Sequence, residues 1–572
     1  MSTARSLKRL LLYSGLYFSL WNLIPRALRN LTRLYGKLRN RHDNNPTLAP
    51  LSTNMLLQLD ASGFQEKLER KEFNSQTLVS FILEHIEYHN TKGLGLHAVI
   101  FLAPKDKLLK RAKTLDQERA KGKFRGPLHG IPIVVKDCIA TGPDLGLYTS
   151  AGSHAVLKAG VIRNAPIVDK LIEKGAIIIG KTNLSEFCAF KGEGLIDGFS
   201  PVGQQTISPY VYEGLNFEEG ELSPSSPGGS STGSAVSVSA GFALIGIGTE
   251  TDGSVVQPSS RQALYALKPT LGSIDAQGCW RVSKTRDIPG VMAKSTGDIA
   301  NVLDILIDNP TQGNSKSVSP RGYSSFLSRT FVGLRVGFVD PSLFRFPPSL
   351  WTPSDEAIKQ HDGAYRNAIN TIREYGAIVK YPVKLTLPAE LSLNGEWTLA
   401  TVMSYEHEAV ANDFLKHYSH KEAEIRTLAD IIKFNKENPT HGLPKEAPSQ
   451  SWLIEAVENR PTEEAYQKAI EHMTRVAKEE GLKKTMRDYD LDVVVAPMDS
   501  PICSLSCASG YPIATVPLGR YKLKGELSRP FGLAILAGEH QESVLIRFMS
   551  AFESVFRERE IPERLLGRNI KY

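Results

Sequence analysis

Lys136, Ser230 and Ser254 are the residues of this chain whose types and surroundings best suit acyl transfer. Ser230 lies in Ser226-Pro-Gly-Gly-Ser230-Ser-Thr-Gly-Ser234, Ser254 closes Gly248-Thr-Glu-Thr-Asp-Gly-Ser254, and Lys136 ends the apolar run Ile133-Val-Val-Lys136. Acyl transfer needs a nucleophile, a base that is neutral at working pH, and backbone donors for an oxyanion. A lysine at the C-terminal end of a buried strand stands where α/β sheets present functional groups, and burial there favours the neutral amine, the form that acts as a base. Two glycines before Ser230 open backbone torsions closed to other residues. The turn through Thr251, Asp252, Gly253 and Ser254 can converge successive N–H groups into an anion-binding nest. Taken singly, Lys136 could be a surface lysine at a strand end and Ser230 a member of any Ser/Gly-rich loop. Together the three form a Ser-Ser-Lys set.

A second serine chemistry competes for the same stretch. Gly229-Ser230-Ser231-Thr232-Gly233 satisfies the Gly-x-Ser-x-Gly pattern of a nucleophile elbow, with Ser231 as nucleophile. That motif requires a strand directly before it. What precedes it is Ser223-Pro-Ser-Ser-Pro227, which reads as a loop, and no C-terminal histidine motif completes a triad. His129, in Leu-His-Gly, reads as a turn residue.

The order of the motifs resembles the amidase signature family. The matching stretches are Gly126-Pro-Leu-His-Gly-Ile-Pro-Ile-Val-Val-Lys136-Asp137, Gly180-Lys-Thr-Asn-Leu-Ser-Glu-Phe187, the two serine stretches and Leu267-Lys-Pro-Thr-Leu-Gly272. Weaker similarity continues through Ala496-Pro-Met and Gly510-Tyr-Pro-Ile-Ala-Thr-Val-Pro517, so the resemblance spans about residues 52–565. It implies a single large α/β domain with a central twisted mixed sheet surrounded by helices. It implies Ser254 as the nucleophile, Ser230 as a proton relay held behind a cis Gly229–Ser230 peptide, and Lys136 as the base. The backbone N–H groups of Thr251, Asp252, Gly253 and Ser254 would form the oxyanion hole. The expected reaction is hydrolysis of a carboxamide through an acyl-enzyme, with no metal and no organic cofactor. An esterase using the same site and a membrane-anchored, non-catalytic scaffold are the alternatives. Many members read Gly-Gly-Ser-Ile-Arg where this chain has Asp252-Gly-Ser-Val-Val256. The missing arginine weakens the likeness to the glutamyl-tRNA amidotransferase A subunit, and the Asp-Gly-Ser version is similar to fungal and plant amidases, some of them tied to specialised metabolism.

The elements that must carry these residues follow from periodicity. Leu78, Phe81, Ile82, His85 and Ile86 recur at helical spacing from a Ser75 cap signal, Ala98 to Leu102 reads as a strand, and Lys105 to Lys121 as a charged helix. Ile131 to Val135 reads as a buried strand, Ala165 to Lys174 as a helix stopped by Gly175, and Ala176 to Ile179 as another strand. Alternating helices and short buried strands predict a sheet covered on both faces. Residues 199–226 read as a loop bordering the site. From about 310 to 490 the chain reads as mostly helical, clearest at Asp355 to Tyr375 and Thr462 to Arg487, and the resemblance makes this region the wall over the substrate.

Charge separates an N-terminal arm from this body. Across 572 residues there are 68 basic and 61 acidic side chains, a net of +7, yet residues 1–41 hold nine Lys or Arg and no acid. Removing those nine leaves 59 basic against 61 acidic residues, so the body is near neutral and offers no phosphate-binding surface. In the arm, Leu10 to Ile24 is uncharged and apolar, and Arg26, Arg29, Arg33 and Lys37 then recur opposite leucines, the pattern of a basic amphipathic helix. Membrane association is the expected role; a packed helix or an organelle presequence are the alternatives. The expected organisation is therefore an arm at 1–41, a linker at 42–51 and an enzyme domain at 52–572. The expected partners are a small-molecule amide, no nucleic acid, a membrane surface met through residues 1–41, and a second copy of the chain in a homodimer. The expected location is intracellular and membrane-associated, with a soluble cytoplasmic protein as the alternative. Five scattered cysteines argue against a disulfide scaffold and for a reducing compartment; Cys503 and Cys507, four apart, lack a second ligand pair and read as structural.

Overall fold

Eleven short strands, most of them runs of valine, isoleucine, alanine and glycine, hydrogen-bond into one mixed sheet. In chain order they are β1 (Val99–Leu102), β2 (Pro132–Lys136), β3 (Ile177–Thr182), β4 (Ile245–Glu250), β5 (Tyr265–Lys268), β6 (Ile288–Ala293), β7 (Arg335–Val339), β8 (Ile378–Val383), β9 (Val493–Pro497), β10 (Ile513–Arg520) and β11 (Pro530–Ala537). Their order across the sheet is β1-β3-β2-β4-β6-β5-β10-β11-β9-β7-β8. The computed structural model describes residues 51–572 apart from 158, 213–224, 308–320, 349, 352, 420–423, 524–528, 557–558 and 567–572. The arm at 1–41, nearly all of the linker at 42–51 and the segment 213–224 of the loop read at 199–226 lie outside the described residues. Among the described residues no helix is long and apolar enough to cross a membrane. They form a single α/β domain, the sheet enclosed by helices, as the resemblance implied.

Two parallel pairings set the site. β2 runs parallel to β3 on one side, with Lys136 opposite Thr182, and parallel to β4 on the other, with Val135 opposite Ile247. All five residues of β2 and all six of β4 are buried, the expected state of parallel strands covered on both faces. Parallel neighbours present their C-terminal ends on the same edge, so Lys136 at the end of β2 and the turn after Glu250 at the end of β4 arrive together.

The helix Thr232–Ser239 crosses this region, and its eight residues, all small or β-branched, are fully buried. Its close approach depends on glycines on both partners. A Cβ at Gly248 of β4 would come within 2.7 Å of Ser231 Oγ, and one at Gly246 within 3.1 Å of the Ser234 carbonyl oxygen. A Cβ at Gly233 would collide with the backbone of Ala98 and Asn183. Small residues therefore let the serine-bearing stretch lie directly on the strand that leads to Ser254.

Several expectations hold with shifted boundaries. The predicted strands and helices near the N-terminus form at Val99–Leu102, Lys105–Ala120, Pro132–Lys136, Pro166–Glu173 and Ile177–Thr182. The first long helix, Ser75–His89, is capped by Asn74 rather than Ser75, because the Ser75 and Gln76 amides are taken by the Asp116 carboxylate while Asn74 accepts from Thr77. The helix expected over Thr462 to Arg487 is divided into Glu463–Met473 and Lys483–Asp488 around a π-helical stretch in which Gly481 leaves helical torsions. The region read as mostly helical also supplies β7 and β8. Short apolar runs such as Val336-Gly-Phe-Val339 cannot be told from buried helix by pattern alone, and β8 is an edge strand largely open to solvent, so it lacks an apolar signature.

Candidate active site

Lys136 is fully buried, and its Nζ lies 2.7 Å from Ser230 Oγ, 3.2 Å from Thr249 Oγ1 and 3.3 Å from the Thr249 carbonyl oxygen. Ser230 Oγ lies in turn 3.0 Å from Ser254 Oγ. A continuous chain of heavy atoms thus runs from amine to hydroxyl to hydroxyl. Hydroxyl hydrogens rotate to suit their partners, so the chain conducts in either direction: an ammonium donates toward Ser230, whereas a neutral amine accepts from it while Ser254 donates to Ser230. No carboxylate lies within ion-pairing distance of Lys136 Nζ among the described residues.

Backbone geometry holds the three groups. The Gly229–Ser230 peptide is cis. The Ser230 carbonyl accepts from the Ser185 amide at 3.2 Å, and the Ser254 carbonyl accepts from the Ser231 amide at 3.0 Å, which ties the two serine stretches to each other and to the loop after β3. Gly253 takes φ +81°, a torsion that glycine adopts without a Cβ penalty, and this turns the chain from β4 into the helix Val256–Ser260. The buried Glu250 carboxylate accepts the amides of Val255 at 2.7 Å and Val256 at 2.9 Å, and the Gly253 amide also acts on it. Burial nonetheless holds the Glu250 carboxyl above the usual carboxylate range. The amides of Thr251, Asp252 and Ser254 have no hydrogen-bond acceptor among the described residues. They are free to meet an anion at the cavity that Asp252 and Ser254 line, whereas the Gly253 amide, expected among the oxyanion donors, is taken by the Glu250 carboxylate that the same turn wraps.

Two further carboxyls brace this turn. Asp287 accepts from Thr251 Oγ1 at 2.7 Å and from the amides of Val282 and Ser283 at 2.8 and 3.2 Å; burial outweighs these donors and pushes its pKa up to about 6. Asp252 accepts from Ser504 Oγ at 2.7 Å, and burial raises it likewise to about 6. Thr249 Oγ1 is also 3.4 Å from Cys138 Sγ and 3.8 Å from Cys188 Sγ. Thr249, Ser185, Asp197, Asp287 and Ser504 are site neighbours that sequence reasoning did not single out, since each is an ordinary polar residue whose place becomes visible only when distant segments meet.

The cavity has a volume of about 720 Å³. Gly229, Ser230, Asp252, Gly253 and Ser254 form one side, and Leu343, Phe346, Leu350, Leu387 and Trp397 give it an apolar wall drawn from the region the resemblance assigned to substrate. Val256, where many family members have arginine, is fully buried in the helix Val256–Ser260. Ser231 is fully buried as well, and its hydroxyl donates to the Thr249 carbonyl at 3.1 Å. No strand precedes it between Ser225 and Ser230. His129 bonds through Nε2 to the Leu115 carbonyl at 2.9 Å and through Nδ1 to the Arg125 amide at 3.2 Å, so it ties the turn before β2 to the helix Lys105–Ala120 and the loop after it.

Comparison with known proteins points the same way as the geometry. A family model described as Amidase matches residues 78–505. A protein of Arabidopsis thaliana named "Probable amidase" is 31% identical over 503 residues, covering 86% of this chain and 89% of its own length. Among solved structures, native peptide amidase from Stenotrophomonas maltophilia superposes with a TM-score of 0.76 at 31% identity, covering 88% of this chain and 98% of the other. An amidase family protein from Bacillus anthracis superposes with a TM-score of 0.77 at 25% identity, covering 93% and 97%.

Proposed function

The chain belongs to the amidase family and is a hydrolase acting on carbon–nitrogen bonds; from that premise we propose that it cleaves a carboxamide through an acyl-enzyme on Ser254, driven by Lys136 through Ser230. The observation that carries this reading is the 2.7 and 3.0 Å chain from the buried Lys136 Nζ through Ser230 Oγ to Ser254 Oγ, the two serines lining the cavity.

In this cycle the neutral Lys136 amine takes the Ser230 proton as Ser230 takes that of Ser254. Ser254 Oγ forms a bond to the carbonyl carbon, and the oxygen's charge is met by the amides of Thr251, Asp252 and Ser254. Ser230 then returns a proton to the amide nitrogen, regains one from Lys136, and the C–N bond breaks. Water enters, gives a proton to the same relay and bonds to the acyl carbon; Ser254 leaves as its proton returns. The products are a carboxylic acid and an amine or ammonia. Every proton transfer runs through these three side chains.

The apolar wall favours an acyl group with a hydrophobic body, and the likeness to peptide amidase makes amidated peptides and arylalkyl carboxamides the first substrates to try. Residues 1–41 are assigned to membrane association on their charge and apolar pattern. The test of the main reading is turnover of such a panel by purified protein, together with mass-spectrometric location of a fluorophosphonate adduct. Adduct on Ser254 and release of carboxylic acid are expected; adduct on another serine, or no amide turnover across the panel, overturns the reading.

A further inference from the structure

Asp197 brings a carboxylate into the cavity beside the serine relay, on a loop that the mechanism above does not use. Its nearest neighbours locate it closely. A Cβ added to Gly229, the residue directly before Ser230, would collide first with Asp197 Oδ1 and next with Ser185 Oγ at 2.7 Å. Ser185 Oγ donates to Asp197 Oδ1 at 3.3 Å and itself accepts from the Gly198 amide at 3.0 Å, while Gln205 Nε2 donates to the Asp197 main-chain oxygen at 2.9 Å. The loop is therefore pinned, and the side chain receives one long hydrogen bond on one oxygen. Burial holds the carboxyl above the usual range despite the nearby positive charges of Arg261 and Lys136. With one oxygen bonded only at 3.3 Å and the residue lining the cavity, the carboxylate is placed to accept from a ligand donor.

The direction it faces has a chemical meaning. In the proposed cycle Ser230 returns the proton to the departing nitrogen, and Asp197 packs against Gly229, the residue directly before it, so its carboxylate lies close to the group that meets that nitrogen.

Building on the amide-hydrolase reading, we propose that Asp197 is a specificity-determining residue for the leaving group: its carboxylate accepts a hydrogen bond from the N–H of the scissile carboxamide, selecting primary amides over the corresponding esters. An ester oxygen in that place carries no hydrogen and turns a lone pair toward the carboxylate. A site built to bond a substrate N–H discriminates strongly against an analogue that lacks it, because its own polar group is left unpaired.

The test compares 3-phenylpropanamide with methyl 3-phenylpropanoate on the full-length wild type, Asp197→Asn and Asp197→Ala. The readout is the amide-to-ester ratio of kcat/KM, with fluorophosphonate labelling of Ser254 as the check that each variant is folded. Asp197→Ala is expected to lower that ratio by about 100-fold; Asp197→Asn, which keeps an acceptor oxygen, is expected to fall between it and wild type. A ratio unchanged within about threefold in labelled Asp197→Ala overturns the assignment, as does an equal fall on both substrates. Wild type that neither labels at Ser254 nor hydrolyses either compound overturns the amide-hydrolase reading itself.

Discussion

The hydroxyl of Ser230 stands 2.7 Å from the amine of Lys136, although 94 residues separate them along the chain. Lys136 rides the end of β2 and Ser230 the approach to the helix that crosses β4, so their contact is a direct consequence of how that helix lies on the parallel pair β2 and β4. Ser254 completes the chain 3.0 Å further on.

Removing the proposed nucleophile should abolish the covalent cycle. Ser254→Ala is expected to lose about 10³-fold or more in kcat and all fluorophosphonate labelling, while Ser231→Ala should keep the label. A label that persists in Ser254→Ala and disappears in Ser231→Ala would make the elbow serine the nucleophile.

A relay behaves as a unit. Lys136→Ala and Ser230→Ala are each expected to lower kcat by at least about 100-fold, and the double variant to be little worse than the slower single one. Multiplicative losses in the double variant would mean that the two residues act independently, which the proposed proton path does not allow.

Asp287 links pH to stability through the turn it holds. Its pKa is raised to about 6 in the folded protein, from 3.8 for an unperturbed aspartate. The folded state therefore binds the proton more tightly. Its contribution is fully present below about pH 4 and is lost as the pH rises through about 6, a difference of roughly 3 kcal/mol. Asp287→Asn, which cannot ionise, should show a flatter fall in urea-unfolding free energy between pH 4 and 7 than wild type. Parallel curves for the two proteins would remove Asp287 from this role.

The apolar wall should be read by substrate size. Phe346→Ala is expected to reduce kcat/KM for an arylalkyl amide by about 10-fold while changing that for acetamide by less than about twofold. A uniform loss on both substrates would show that Phe346 supports the site's shape instead of meeting the acyl group.

The arm carries the excess positive charge of the chain, and each basic residue near an anionic surface contributes roughly 1 kcal/mol to binding. Deleting residues 1–41 is expected to move active protein from the membrane pellet to the soluble fraction, and vesicles rich in phosphatidylserine should retain the full-length chain more weakly as salt is raised. An active truncated protein that still pellets would place membrane binding elsewhere.

The linear order of residues already determined a good deal. Alternating helical and short apolar segments specified an α/β sheet covered on both faces, because parallel strands buried on both sides read as near-continuous apolar runs; Ile131 to Val135 and Ala176 to Ile179 are such runs. Lys136, Ser230 and Ser254 were recognisable by type, local glycines and motif order. What the sequence could not determine was how close they come and what surrounds them. The 2.7 Å contact across 94 residues, the Asp287 brace on Thr251 and the Asp197 carboxylate beside Gly229 all arise from packing between segments remote in sequence. The same holds for β7 and β8, whose short or solvent-facing patterns carry no helix-or-strand period of their own and become strands because neighbouring strands complete their hydrogen bonds. Local pattern records which face a residue must bury; only the folded chain decides which distant polar group it meets there.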